Sequence, residues 1–292
     1  MNYHILMDVS GDLAPERLNS SELLLIPMEY SLGGAMRTCA SMETRETLKR
    51  FYDGQRNGDL THTSQISPAQ YQAFVEPYLK NGESILYLAL SSGLSATVES
   101  ARIMQKHLKK KYPDVDFVPV DTLAATGGMG VLAERALRSR ESGMDIFENA
   151  RDLTSAASRI QHIFVVQDLM YLSRGGRIGS AAARIGTALN IKPILIIAPD
   201  GTLKIIDKKR GPKSAVRALL DHFEAHHDPD ADDVVYIIDA DAEDLSAALE
   251  EGVRSLCPDA VIRHAGLSPI IGAHTGPGMA AICYMGREKQ DA

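Results

Sequence analysis

Along the first half of this chain, short apolar runs end in a polar or acidic residue and are followed by segments of helical spacing. Ser84 to Leu90 is the clearest, nearly unbroken in apolar residues, as a parallel strand covered on both faces should be. It runs straight into Ser91-Ser92-Gly93-Leu94-Ser95. From about Ala96 to Lys111, Val98, Ala101, Met104 and Leu108 then recur at three- and four-residue spacing, the period of a helix with one buried face. Tyr3 to Met7 ends at Asp8, Phe117 to Val120 ends at Asp121, and Leu23 to Met28 reads as a further strand. An alanine-rich helix follows Gly127-Gly128-Met129-Gly130 to about Arg140, and another fits Asp145 to Gln161. This βαβα succession predicts an α/β fold with a doubly wound, mainly parallel sheet. Ligands of such sheets sit beyond the carboxyl ends of the strands, which places Asp8, Ser91 to Ser95 and Asp121 on one rim.

Beyond Gln161 the pattern changes. Ile163 to Val166 reads as a strand, and Ile191 to Ala198 and Thr202 to Ile206 flank Pro199-Asp200-Gly201. Asp-Gly favours the positive φ of a tight hairpin turn. A helix from about Lys213 to Glu224, a strand from Val234 to Asp239, a helix from Ala242 to Ser255 and strands near Ala260 to His264 and Ala280 to Tyr284 follow. A second α/β lobe with a mixed or antiparallel sheet is expected. The boundary falls near Gln161, giving an N-terminal Rossmann-like lobe (1–161) and a C-terminal lobe (162–292).

Lys and Arg number 31 against 38 Asp and Glu, a formal charge of −7. That balance argues against nucleic acid as a partner, because phosphate backbones need a basic face. With no Trp and 5% aromatics, stacking platforms for single strands are not expected either. The densest apolar run, Ile194 to Ala198, is far short of a membrane span. The first residues lack the basic start and apolar core of a signal peptide, so a cytoplasmic protein is expected. Cys39, Cys257 and Cys283 form no CxxC pair, which suggests free thiols in a reducing compartment. His226 and His227 are adjacent and do not share a helix face, so no metal site is read there.

Four polar islands carry the chemistry. Thr63-Ser64-Gln65-Ile66-Ser67-Pro68 ends in a good helix cap, Ser67 before Pro68. That leaves Thr63, Ser64 and Gln65 unexplained. In Ser91-Ser92-Gly93-Leu94-Ser95-Ala96-Thr97, Ser95 either caps the next helix or sits in an imperfect GxSxG elbow, whose last position is Thr97. Free N–H groups at such a turn also favour an anion. Arg174-Gly175-Gly176-Arg177, before the small-residue stretch Ser180 to Ala183, fits a phosphate-binding turn or a surface loop. Gly272-Ala273-His274-Thr275-Gly276-Pro277-Gly278 holds one histidine in a constrained backbone, which makes His274 a site candidate.

These islands, in this order and together with Asn190-Ile191-Lys192-Pro193-Ile194-Leu195, Asp200-Gly201 and Lys208-Lys209-Arg210, resemble the DegV family. That family includes the fatty-acid-binding subunits of the bacterial fatty acid kinase. The resemblance runs from Asp8 to Tyr284. It implies two lobes with a long-chain fatty acid buried between them and no other cofactor. It also implies that Thr63 and Ser95 hold the carboxylate beside His274. Arg210, with Arg177, would serve docking or phosphoryl transfer with a separate kinase subunit. The chain would then be a lipid-binding protein and no enzyme by itself. The alternative is a serine esterase using Ser95 and His274. Three positions depart from the family pattern: Val9 follows Asp8 where serine is usual, Ile66 stands where proline is common, and Ala96 replaces a glycine.

Overall fold

The opening apolar run forms β1 (Tyr3–Asp8), and Leu23 begins β2 (Leu23–Ile26). The computed structural model describes residues 3–17, 23–179, 190–228 and 230–289. The single strand expected over Leu23 to Met28 is broken at Pro27. Proline has no N–H for a ladder, and here the chain leaves one sheet for another. β3 (Met28–Leu32), β4 (Ala35–Cys39) and β5 (Thr61–Thr63) form a separate three-stranded antiparallel sheet, ordered β4-β3-β5. Tyr30 pairs with Thr63 in it. The sequence reading missed this sheet, although Gly33-Gly34, both at positive φ, mark its hairpin turn. Between β4 and β5 runs α1 (Arg45–Arg56), capped by the Thr44 side chain. Cys39, at the end of β4, is fully buried, and burial pushes its thiol up to about 12.

α2 (Pro68–Lys80) starts at Ser67 in a complete capping box with Gln70. β6 (Ser84–Ala89), α3 (Thr97–Lys111) and β7 (Phe117–Asp121) follow. β2, β1, β6 and β7 make a parallel sheet in that order, with Ile5 opposite both Leu23 and Leu86. Ile85 to Ala89 are fully buried, which accounts for the unbroken apolar run. Asp8 is fully buried at the rim. Its carboxylate accepts from the Tyr87 hydroxyl at 2.8 Å and the Leu90 N–H at 3.0 Å. It therefore ties strand ends together.

α4 (Thr126–Glu141) packs against strands of both large sheets. α5 (Ile146–Ala157) begins at the Asp145 cap and stops short of the expected Gln161. β8 (Ile160–Val165) starts there instead. Gln161 and His162 are polar but buried, with Gln161 Nε2 and His162 Nε2 paired with the Arg287 and Ala125 carbonyls, and their polarity hid the strand. Among the described residues, α6 (Leu169–Arg174), β9 (Ile191–Ile197), β10 (Leu203–Arg210), α7 (Pro212–His226), β11 (Val234–Asp239), α8 (Glu243–Leu256), β12 (Val261–Gly266), α9 (Pro269–Thr275) and β13 (Ala280–Met285) follow. Ser180 to Ala183 lie outside the described residues.

The second large sheet has six strands, ordered β10-β9-β8-β13-β11-β12. It is mixed: β11 and β12 run parallel and the other pairs antiparallel. Its inner face shares one continuous core with the parallel sheet, and α7 and α8 cover its outer face. β10 continues past the expected Ile206 to Arg210, across a bulge at Ile206. Among the described residues, no helix is long and apolar enough to cross a membrane.

Candidate functional site

A cavity of about 260 Å³ opens between the two large sheets and the small one. Leu90 and Leu94 line it from the parallel-sheet side, and Phe164, Ile197, Leu203 and Met279 from the six-stranded sheet and its turns. Ile270 and Ile271 of α9 close another wall. Mostly apolar walls with a few convergent polar groups are the usual make-up of a small-molecule site.

The polar groups are those of the four islands. Thr63 ends β5, and its Oγ1 lies 2.8 Å from His274 Nε2. His274 is not in a loop, as its glycine-rich surroundings suggest. It occupies the last turn of α9, which Gly276 terminates at a φ of 73°. Its ring lies against Gly175, where an added Cβ would come within 2.3 Å of Nδ1. Gly175 of the third island therefore makes room for the histidine. Burial, with Arg177 and His62 nearby, lowers the His274 pKa to about 4, so the ring is neutral at pH 7.

Ser95 lies in the turn between β6 and α3. Its Oγ pairs with Thr97 Oγ1 at 2.7 Å and accepts from the Thr97 N–H at 3.3 Å. Ser95 is therefore not the helix cap: Ala96 holds that position and offers no side-chain acceptor, and Ser95, one residue earlier, reaches the first helical N–H instead. Arg177 lines the same cavity. Its Nε donates to the Leu94 carbonyl at 3.1 Å, and its Nη1 to the Gly175 carbonyl. Its half-buried guanidinium therefore bridges the second and third islands. Ala96, the departure from the family pattern, also lines the cavity, as do Ser64 and Gln65.

The structure thus brings Thr63, Ser95, His274 and Arg177 to one cavity and leaves Arg210 apart, exposed at the end of β10 opposite Ile191. The sequence reading grouped Arg177 with Arg210. Nothing in the spacing of Arg174-Gly175-Gly176-Arg177 shows which arginine turns inward, because α6 ends within the motif. A nucleophilic serine needs its base within hydrogen-bond reach, and the base needs an orienting partner. Here His274 Nε2 faces Thr63, Nδ1 is buried without a partner, and Ser95 is engaged with Thr97. Among the described residues, no group of His, Cys, Asp and Glu is placed to hold a metal ion.

Comparison with known proteins agrees with the sequence motifs. The model of the DegV family of uncharacterised proteins matches residues 2–287. The DegV domain-containing protein YteA of Lactococcus lactis is 32% identical over 298 residues, covering 100% of each chain. A DegV domain-containing protein of Clostridium perfringens is 35% identical over 252 residues, covering 86% of each. Among solved structures, a fatty-acid-binding DegV family protein of Thermus thermophilus is 27% identical, with a TM-score of 0.83 over 98% of this chain and 100% of that one. A DegV lipid-binding protein of Thermotoga maritima is also 27% identical, with a TM-score of 0.81 over 99% and 100%. The Fak B3 protein of the Streptococcus pneumoniae fatty acid kinase, loaded with linoleic acid, shares the fold at 20% identity, with a TM-score of 0.84 over 98% and 99%. With its motifs, its topology and a family match across nearly its whole length, this chain belongs to the DegV family.

Proposed function

We propose that this chain binds a long-chain fatty acid between its two lobes, residues 1–161 and 162–292. It then presents the carboxylate to a separate kinase subunit for acyl-phosphate formation. The observation that carries the reading is the convergence of Thr63, Ser95, His274 and Arg177 on one otherwise apolar cavity. The fatty-acid and lipid binding of the Thermus and Thermotoga relatives supports it.

The division of labour follows from magnitudes. A chain of about sixteen carbons buries roughly fourteen methylenes at about 0.8 kcal/mol each, on the order of 11 kcal/mol before ordering costs. One hydrogen bond to a charged carboxylate adds about 1.5–3 kcal/mol. The tail supplies most of the affinity, and the hydroxyls make the free acid distinguishable from an ester. In this arrangement His274 carries its proton on Nε2 and donates it to Thr63 Oγ1. The Thr63 O–H is then free to donate to the carboxylate, with Ser95 as the second donor and Arg177 as the counter-charge. Arg177 belongs with the head group on this reading, and Arg210 with the kinase. The kinase partnership rests on the motif resemblance and on the exposure of Arg210. The esterase reading loses its support where Ser95 and His274 each face another partner.

Displacement of a fluorescent fatty acid by palmitic acid, its methyl ester and hexadecanol tests the head-group reading. The acid should compete at least tenfold better than the ester. Equal competition by acid and ester would remove the carboxylate site.

A further inference from the structure

The Asp200-Gly201 turn of the β9–β10 hairpin does more than reverse the chain. It rests on the turn that carries Ser95. Ser91 is fully buried there, and its Oγ donates to the Gly201 carbonyl at 2.8 Å. The same Oγ accepts from the Gly93 N–H at 3.2 Å, inside its own turn. The Ser91 carbonyl accepts from the Leu94 N–H at 3.0 Å and the Ser95 N–H at 3.1 Å. One residue of the parallel-sheet lobe thus sets the backbone of the Ser95 turn and is itself held by the hairpin of the other lobe. Two glycines make the approach possible. A Cβ on Gly93 would come within 2.4 Å of the Gly201 backbone carbon, and one on Gly201 within 2.2 Å of Ser91 Oγ. Gly201 also has a φ of 79°, which L side chains rarely adopt.

We propose that Ser91 and Gly201 form an inter-lobe strut whose function is to place Ser95 for the ligand's carboxylate, making both of them positioning residues for head-group selectivity. The inference rests on the fatty-acid carboxylate reading above. It adds that the hairpin turn of the second lobe is part of the head-group site, although Asp200 and Gly201 do not line the cavity. Removing the Ser91 hydroxyl takes away its bonds to Gly201 and Gly93 without adding bulk, and leaves the Ser95 turn held by the Ser91 carbonyl alone. Adding a methyl at Gly201 drives Ser91 Oγ away from both of its partners. Either change should loosen Ser95 while leaving the apolar walls, and so the tail's affinity, as they are.

The test compares palmitic acid with its methyl ester by fluorescence displacement in the parent protein, Ser91→Ala, Gly201→Ala and the double variant. Gly143→Ala controls for backbone strain, because Gly143 also has a positive φ (92°) and a Cβ there meets nothing within 4 Å. Each single variant should lose about tenfold of the preference for acid over ester, the size expected when one hydrogen bond to a charged group is lost, with ester affinity unchanged. The double variant should lose no more than either single one, because both act on the same contact. Gly143→Ala should keep the preference. Ser91→Ala carries the test alone should Gly201→Ala not fold. A parent with the preference and a Ser91→Ala variant that retains it would overturn the strut while leaving the carboxylate reading standing. So would equal losses of acid and ester, or additive losses in the double variant. A parent with no preference would overturn the carboxylate reading, and the strut with it.

Discussion

Replacing Thr63 by valine removes one oxygen from the centre of the site and almost no volume. Two consequences follow from the 2.8 Å contact between Thr63 Oγ1 and His274 Nε2. The first concerns the ligand. The carboxylate loses one charge-assisted hydrogen bond, about 1.5–3 kcal/mol, so the dissociation constant for a free fatty acid should rise roughly ten- to hundredfold. The methyl ester offers no charged oxygen for that bond, and its affinity should stay within about threefold. The second concerns the empty protein. His274 Nδ1 already lacks a partner, so the variant leaves both ring nitrogens unpaired. A buried polar group left so costs about 1–3 kcal/mol. Water entering the cavity at Nε2 places the loss at the lower end, as a small drop in melting temperature. Fluorescence displacement with both ligands and a thermal melt of ligand-free protein measure the two effects. Unchanged acid affinity in a variant that melts like the parent would refute the role given to Thr63. Equal weakening of acid and ester would assign Thr63 to the fold of the pocket instead.

Arg210→Ala should bind fatty acid nearly as well as the parent and fail to support acyl-phosphate formation with a cognate kinase subunit, since Arg210 lies outside the cavity; full phosphorylation would make it plain surface charge. Arg177→Ala should instead weaken the acid several-fold against the ester, and an unchanged ratio would return Arg177 to the surface role. Burial lowers His274 and His222 to about 4 and His162 to about 3. These rings stay neutral in the folded chain while the unfolded chain takes up protons below about pH 6.5, so their stabilisation is present above that pH and is lost as pH falls toward 4. Asp12, raised to about 7 by burial, acts in the opposite sense: its contribution is present at acid pH and lost as pH rises through 7. His274→Gln should therefore keep more of its neutral melting temperature at pH 5 than the parent does, and identical acid losses would exclude His274 as a source. Cys39 and Cys283 are fully buried and Cys257 is half-buried, so an aromatic disulfide reagent should titrate one thiol in the native protein and three in denaturant; a second fast native thiol would show that the core around Cys39 or Cys283 opens.

The parallel sheet was legible because strands buried on both faces must be apolar throughout, and β1, β6 and β7 show that run directly. The small sheet was not, because its strands are short and β4 is largely exposed, leaving no face to impose an alternation. β8 was half-seen, since Gln161 and His162 pair with distant carbonyls that local pattern cannot reveal. The three hydroxyl and imidazole residues of the site were legible through their islands. Their chemistry sits in turns and helix ends, where polar residues stand out against apolar runs. The inward turn of Arg177 depends on where α6 stops and on the Leu94 carbonyl across the cavity. The strut between Ser91 and Gly201 joins positions 110 residues apart, a contact no local reading of a hairpin turn contains.

Native mass spectrometry of the protein purified without added lipid tests the central claim most directly. The account predicts a fraction of the protein carrying one extra mass equal to a free long-chain fatty acid. That mass should be lost on exchange with an excess of another free acid and retained against the corresponding methyl ester. A protein that carries no such mass and takes up acid no better than ester would contradict the account.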